Sequence, residues 1–202
     1  MSQIIKFNEE LHQYTVDGII RPCVTDIISA GGLNDIFGKV NKEILEAARV
    51  KGKFVHLATE FYDLGTLDDA TVHETIRPYL DSWIRFRKDT GFKPQVIEEM
   101  VFSKKYGYAG TVDRIGLFNN VKTVVDIKSG ELTPAAAPQT SAYLNAYNED
   151  KSPKDKAKDR LIVQLRKDGT YRLPKKSFYS KDDFSIFLAC LAIRNWRARH
   201  GK

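Results

Sequence analysis

The sequence predicts an α/β fold: a mixed central β-sheet flanked by helices, with an N-terminal hairpin and a helical lobe in front. Three observations carry this. Residues 95–128 hold three consecutive strand-like runs rich in Val, Ile, Thr and aromatics. Segments with helical periodicity stand before and after that block, at 41–90 and 134–148. A further apolar run at 161–165 follows the second of these.

Taken in order, residues 4–7 and 12–16 form a small hairpin around Asn8-Glu9-Glu10, and Asp17-Gly18 turns the chain again. Thr25 is placed to cap a short helix reaching Ala30, stopped by Gly31-Gly32. Asn41 caps a long helix through Ile44, Leu45, Ala48, Val55, Ala58 and Phe61. A second long helix runs from about Ala70 to Thr90, with Pro78 bending it near the start and Gly91 ending it. Strands follow at 95–102, 108–118 and 121–128, then a helix over 134–148 with Pro138 inside its first turns. A charged loop at 151–160 leads to the strand 161–165, which Asp168-Gly169 turns into 170–173. A helix over 182–199 closes the chain. The whole is expected to be one domain, with 1–40 the hairpin and short helix, 41–91 the lobe, 92–175 the core and 176–202 the last helix.

Composition narrows the function. The chain has 202 residues, 42% of them hydrophobic and 29% charged, enough for one soluble domain with a full core. Its net charge of +6 is compatible with a polyanionic partner. Cys23 and Cys190 are its only cysteines, which excludes a four-cysteine zinc or iron–sulfur centre and makes a poor disulfide framework. No apolar run is long enough to span a bilayer, and the first residues resemble neither a signal nor a transit peptide. A cytoplasmic protein with no membrane partner is expected.

The most informative segment is the hairpin formed by 108–118 and 121–128. Asn119-Asn120 suits a two-residue turn, because Asn tolerates the positive φ that such turns need. Continued along the strands, that register sets Asp113 directly opposite Asp126, and Thr111 opposite Lys128. Facing like charges are destabilising in a sheet, and a cation or a shared proton would relieve them. Two carboxylates and a lysine on one face thus describe a divalent-metal site with a positively charged partner. Alternation places Glu98 on one face with Met100 and Phe102, where metal coordination would account for a carboxylate among apolar groups. His56 lies one helical turn after Gly52, whose missing side chain would allow close approach. Gln139 and Tyr143 are four apart, so both point from one side of their helix. Lys104, Lys105, Tyr106 and Tyr108 make a basic and aromatic loop of the kind that holds single strands without sequence preference.

Phosphodiester hydrolysis would use all of these groups. Mg²⁺ or Mn²⁺ takes oxygen ligands from Asp113, Asp126 and a phosphate, and an imidazole at His56 tilts the choice towards Mn²⁺. Lys128 would orient or deprotonate the attacking water, or stabilise the transition state. Gln139 and Tyr143 would hold the scissile phosphate or a flanking nucleotide. Singly, most of these residues have bland explanations: a packed or surface histidine, a strand-end lysine, a core tyrosine, a solvated hairpin tip.

Together and in order they resemble the PD-(D/E)XK nuclease superfamily, in its RecB-type exonuclease branch, with phage-encoded and mitochondrial genome maintenance exonucleases as similar members. The matching elements are Gly52-Lys53-Phe54-Val55-His56, Glu98, Gly110-Thr111-Val112-Asp113, Asp126-Ile127-Lys128 and Gln139-Thr140-Ser141-Ala142-Tyr143. The resemblance covers about Gly52 to Leu173. It implies a restriction-endonuclease-like core, metal ligation by His56, Asp113, Asp126 and the Ile127 carbonyl, Glu98 on a second metal, and Lys128 as catalytic. It departs from branch members that carry an iron–sulfur cluster, which this chain cannot build. The function expected is a Mg²⁺- or Mn²⁺-dependent DNA exonuclease of replication, recombination or repair, acting on single-stranded ends or flaps (in the host cytoplasm if phage-encoded). The alternatives are a structure-selective endonuclease, a catalytically silent nucleic-acid-binding subunit and a small-molecule metallohydrolase. The helical lobe would arch over the site and restrict entry to a threaded end.

Overall fold

The computed structural model describes residues 3–34 and 41–201. At its centre is a five-stranded mixed sheet of β4 (Lys93–Ser103), β5 (Tyr108–Phe118), β6 (Val121–Lys128), β7 (Asp159–Leu165) and β8 (Tyr171–Arg172), in that spatial order. All neighbours are antiparallel except β6 and β7, which run parallel. Parallel neighbours need a crossover. Helix α4 (Ala136–Asn148) supplies it. A second, three-stranded antiparallel sheet of β1 (Ile5–Asn8), β2 (Gln13–Val16) and β3 (Ile19–Arg21) lies against β4 and β5 through Tyr14, Cys23 and Ala109.

Helices cover both faces of the large sheet. On one, α1 (Val24–Ala30), α4 and α5 (Asp183–His200) enclose a core that includes Ile27, Val112, Val124, Ala142 and Phe187. On the other, α2 (Lys42–Leu64) and α3 (Arg77–Thr90) pack Val55, Ala58, Trp83 and Phe86 onto Val125, Ile127, Val163 and Leu165. The helices of 41–91 are therefore a layer on the sheet, whereas the sequence suggested a lobe standing before it. At the start of α2, residues 43–50 are all exposed. Among the described residues no helix is long and apolar enough to cross a membrane.

The β5–β6 hairpin takes the register and the strand limits that its sequence predicts. Asn119 and Asn120 both have positive φ, 49° and 62°, and Phe118 pairs with Val121. Asn41 caps α2 by accepting from the Glu43 amide at 2.8 Å, and Gly91 ends α3 in the left-handed conformation.

Three expectations need correction. Helix α1 is capped by Cys23, whose Sγ accepts from the Asp26 amide, and Thr25 falls inside the first turn. The helix expected from Ala70 is a single 3-10 turn at Asp69–Thr71, and α3 starts only at Arg77. Pro78 therefore opens α3 instead of bending it, since a first-turn residue has no intrahelical use for the N–H that proline lacks. The turn at Asp17-Gly18 leads into a third strand, which the two-strand reading of the N-terminus missed.

Candidate active site

The site forms where β5 and β6 part. Their ladder runs from Phe118–Val121 to Arg114–Val125 and stops one pair short of the two aspartates. Asp113 and Asp126 are therefore not a cross-strand pair, and neither are Thr111 and Lys128. Instead the Asp113 carboxylate enters the gap, and its Oδ2 accepts from the Ile127 amide at 2.6 Å. That side-chain bond replaces a ladder bond and fixes the carboxylate. Thr111 turns its hydroxyl to Tyr14, 2.7 Å away.

Asp113 Oδ1 is left facing His56 on α2, at 3.4 Å from Nδ1. Glu98 completes a group of three, for ligand atoms of His56, Glu98 and Asp113 all lie within 4.8 Å of one another. Glu98 reaches this place by breaking the strand: its φ of +50° interrupts the alternation that would have grouped it with Met100 and Phe102. A register shift between Pro94 and Val96 precedes it.

Asp126 and Lys128 make the other half. Lys128 Nζ lies 2.9 Å from Asp126 Oδ2 and donates to Oδ1 at 3.1 Å. The same ammonium donates to Gln139 Oε1 at 3.1 Å, and Gln139 Nε2 donates to the Tyr143 hydroxyl at 3.1 Å. Asp126, Lys128, Gln139 and Tyr143 thus form one chain from β6 to α4. Gly110 makes room for its far end, because a Cβ there would stand 2.7 Å from the Tyr143 ring. Gly110→Ala is expected to displace Tyr143 and cost about 1–3 kcal/mol of stability. Urea denaturation checks this, and an unchanged midpoint would show that the contact is not tight. Gly52 has no such role: a Cβ there meets only Ser129 Oγ, at an ordinary 3.6 Å. The proposed need for close approach at Gly52 is therefore not met by the chain's own packing.

Three residues that the sequence reading missed, Arg114, Thr59 and Asp63, tie Glu98 to the helix that carries His56. Arg114 is fully buried in β5, and donates to Glu98 Oε1 (2.8 Å), Asp63 Oδ2 (2.6 Å), the Asp113 carbonyl (2.6 Å) and Thr59 Oγ1 (3.2 Å). Thr59 in turn donates to the His56 carbonyl. Asp63, at the end of α2, also accepts from Arg87 and from the Trp83 indole. An arginine in the middle of a largely apolar strand, next to Asp113, was the available signal, since a buried guanidinium requires carboxylate partners.

The charges shift one another. Burial raises the Glu98 carboxyl to about 7, with Asp113 adding to the effect and Arg114 and His56 opposing it. Burial likewise lifts Asp126 to about 6 against the pull of Lys128. For Asp113 burial acts upwards too, but the charge and hydrogen bond of His56, helped by Lys128 and the Ile127 amide, leave it below an ordinary aspartate. Burial would lower His56 and Lys128, yet the carboxylates around them leave both above their usual values.

Among the described residues, His56, Glu98 and Asp113 are the set able to hold a metal ion. One imidazole and two carboxylates suit a hard or borderline divalent cation. Among the described residues Asp126 Oδ2 is buried with no aligned donor, although Lys128 Nζ stands 2.9 Å from it. Asp126, which the sequence offered as a further ligand, falls outside that group of three. Ile127 contributes its amide to Asp113 and its side chain to the core. A small cavity of about 180 Å³ opens beside Lys128 and Gln139, lined also by Asn34, Glu131 and Thr133.

The basic and aromatic loop is not at this site. Tyr108 is fully buried, donates to the Ala142 carbonyl and packs on Phe187, so no base can stack on it. Tyr106 packs edge-on against Phe184. Lys104 pairs with Asp150, and the Lys105 amide donates to Glu149. These partners lie past the C-terminal end of α4, about 15 Å along the helix axis from Gln139. Strand alternation points Tyr108 inwards, and that outweighs its basic neighbours.

No family model matches the chain, and no curated protein matches it. The chemistry of the site is therefore read from its own atoms.

Proposed function

We propose that the chain is a metal-dependent deoxyribonuclease that hydrolyses phosphodiester bonds at single-stranded ends or flaps, in the cytoplasm. One observation carries this reading: His56, Glu98 and Asp113 converge beside the Asp126–Lys128 pair where β5 and β6 separate. Bound Mg²⁺ or Mn²⁺ would supply an acidified water and neutralise charge on the phosphate. The chain's own groups do the rest. Asp113 and Glu98 offer carboxylate oxygens, and His56 an imidazole nitrogen. Asp126 and Gln139 hold the Lys128 ammonium in place, where its charge orients a water and stabilises the negative charge that develops at phosphorus. Tyr143 steadies Gln139. The carboxylates of Asp113 and Asp126 are recessed, 12% and 3% exposed, which favours a thin, flexible strand over intact duplex.

The test uses end-labelled linear and circular single-stranded DNA with Mg²⁺, Mn²⁺ or EDTA. Metal-dependent loss of the linear substrate alone is expected. Cutting of the circle would make the protein an endonuclease on the same residues. Binding without cleavage in any metal would overturn the reading and leave a nucleic-acid-binding subunit.

The shifted carboxyls give a second expectation. Glu98 and Asp126 are held above ordinary carboxyl values, so between roughly pH 4 and 7 the folded chain binds more protons than the unfolded one. Their contribution to stability therefore falls as pH rises through that window. His56, also raised, adds stability that is lost as pH passes its folded value. Asp113, lowered, acts in the opposite sense and loses its contribution only in acid. In EDTA, Tm is expected to drop from about pH 5 to about pH 7.5, and Glu98→Gln to flatten the drop. Mg²⁺ should restore more at the higher pH, where it no longer competes with protons. A Tm in EDTA that rises over this range would refute the assignment of these shifts.

A further inference from the structure

Helix α2 carries an outward stripe that the site does not use. Val50, Phe54, Leu57, Phe61 and Leu64 are each between 37 and 52% exposed. Scattered apolar residues on a surface need no explanation. These five, however, recur at alternating steps of four and three, the knob spacing of a helix that packs along another helix. The stripe spans about 21 Å of helix. Val55, Ala58 and Thr59, between its members, are the residues that face the sheet. A groove of about 700 Å³ runs beside it, walled on the far side by Leu67, Val72 and Ile76.

We propose that this face is an interface with a second copy of the chain, in which the two α2 helices pack antiparallel about a two-fold axis. With the axis passing between Phe54 and Leu57, Phe54 meets the partner's Leu57 and Val50 meets the partner's Phe61. Every stripe residue then finds an apolar counterpart, and the surface is self-complementary, as a two-fold contact requires.

The flanking charges select the direction. Lys53 and Glu60 lie two turns apart on the same border of the stripe. Antiparallel packing brings each Lys53 to the partner's Glu60, and does so twice. A parallel pair would rely instead on Glu46 meeting the partner's Lys51, but Lys51 is held within its own chain by the Tyr79 hydroxyl at 3.0 Å. Lys53 pairs with Glu9, through an exposed surface contact of the kind worth little, and is easily released.

Sedimentation equilibrium of the full chain across the micromolar range tests this. The wild type is expected to be a dimer. Leu57→Glu should raise its dissociation constant at least about tenfold, by burying a carboxylate against the partner's Phe54. Because Leu57 faces solvent in the single chain, the variant should keep the wild-type circular dichroism spectrum and melt like wild type diluted to the monomer. Lys53→Glu and Glu60→Lys should each weaken the dimer, and the double variant should restore it. A wild type that stays monomeric throughout would overturn the proposal. So would a dimer indifferent to Leu57→Glu, or a double variant no tighter than the singles. If a monomeric wild type binds a single-stranded oligonucleotide and Leu57→Glu abolishes that binding, the face belongs to nucleic acid and not to a second copy.

Discussion

Lys128→Ala is expected to lower metal-dependent cleavage of linear single-stranded DNA by about 10²–10³-fold, with DNA binding retained. The size follows from where Nζ sits. It lies between Asp126 and Gln139, at the mouth of the gap that holds Asp113, so its charge is positioned before any substrate arrives. A group fixed in this way acts on the transition state without reorganising. The loss should therefore fall on kcat, with KM changed little. Gln139→Ala removes one of the two supports of Nζ and should show a smaller loss in the same parameter. Lys128→Arg should recover only part of the rate, because a planar guanidinium cannot take the place of a compact ammonium between two oxygens. Removing Lys128 also strips Asp126 of its cationic neighbour, which should push that carboxyl higher still and move the activity profile to higher pH. Activity within a few-fold of wild type in Lys128→Ala would remove this residue from the mechanism. Loss of binding in step with activity would make it a docking group only.

Much of this site could be read from the sequence because the residues that build it obey local rules. The limits of β5 and β6 follow from the Asn119-Asn120 turn and the β-branched runs beside it, and a turn fixes register. Gln139 and Tyr143 share a helix face by spacing alone, and they meet through a hydrogen bond. What could not be read depends on backbone departures that leave no mark in side-chain pattern. The ladder ends at Arg114–Val125 because the Asp113 carboxylate takes the Ile127 amide, a competition that no periodicity encodes. Glu98 is turned by a positive φ in mid-strand, after a register shift, so alternation gave it the wrong neighbours. Arg114 and Asp63 lie 51 residues apart, and only packing α2 on the sheet brings them together. Their link matters because it makes the position of Glu98 depend on a helix that carries His56.

That dependence makes Asp63→Ala the most damaging single change expected for the fold. The Asp63 carboxylate is completely buried, and accepts from Arg114 and Arg87 at 2.6 Å each and from the Trp83 indole at 3.0 Å. Arg114 is buried as well, so without Asp63 its charge would rest on Glu98 alone. Breaking a buried pair from one side typically costs about 3–5 kcal/mol, a large part of the 5–15 kcal/mol that holds a domain together. Arg87 is more open to water, and Arg87→Ala should cost less, about 1.5–3 kcal/mol. Urea denaturation of the two variants orders them, and a cost below about 1 kcal/mol for Asp63→Ala would show that the network is not a structural anchor. Asp63→Asn separates fold from site. The amide keeps the shape and one acceptor for Trp83, but no longer balances Arg114, which is then drawn towards Glu98. Glu98 should bind the guanidinium more tightly and be less available beside His56 and Asp113. In a variant that still folds, the Mn²⁺ needed for half-maximal stabilisation should therefore rise. Unchanged Mn²⁺ dependence with reduced stability would confine Asp63 to holding α2 and α3 on the sheet.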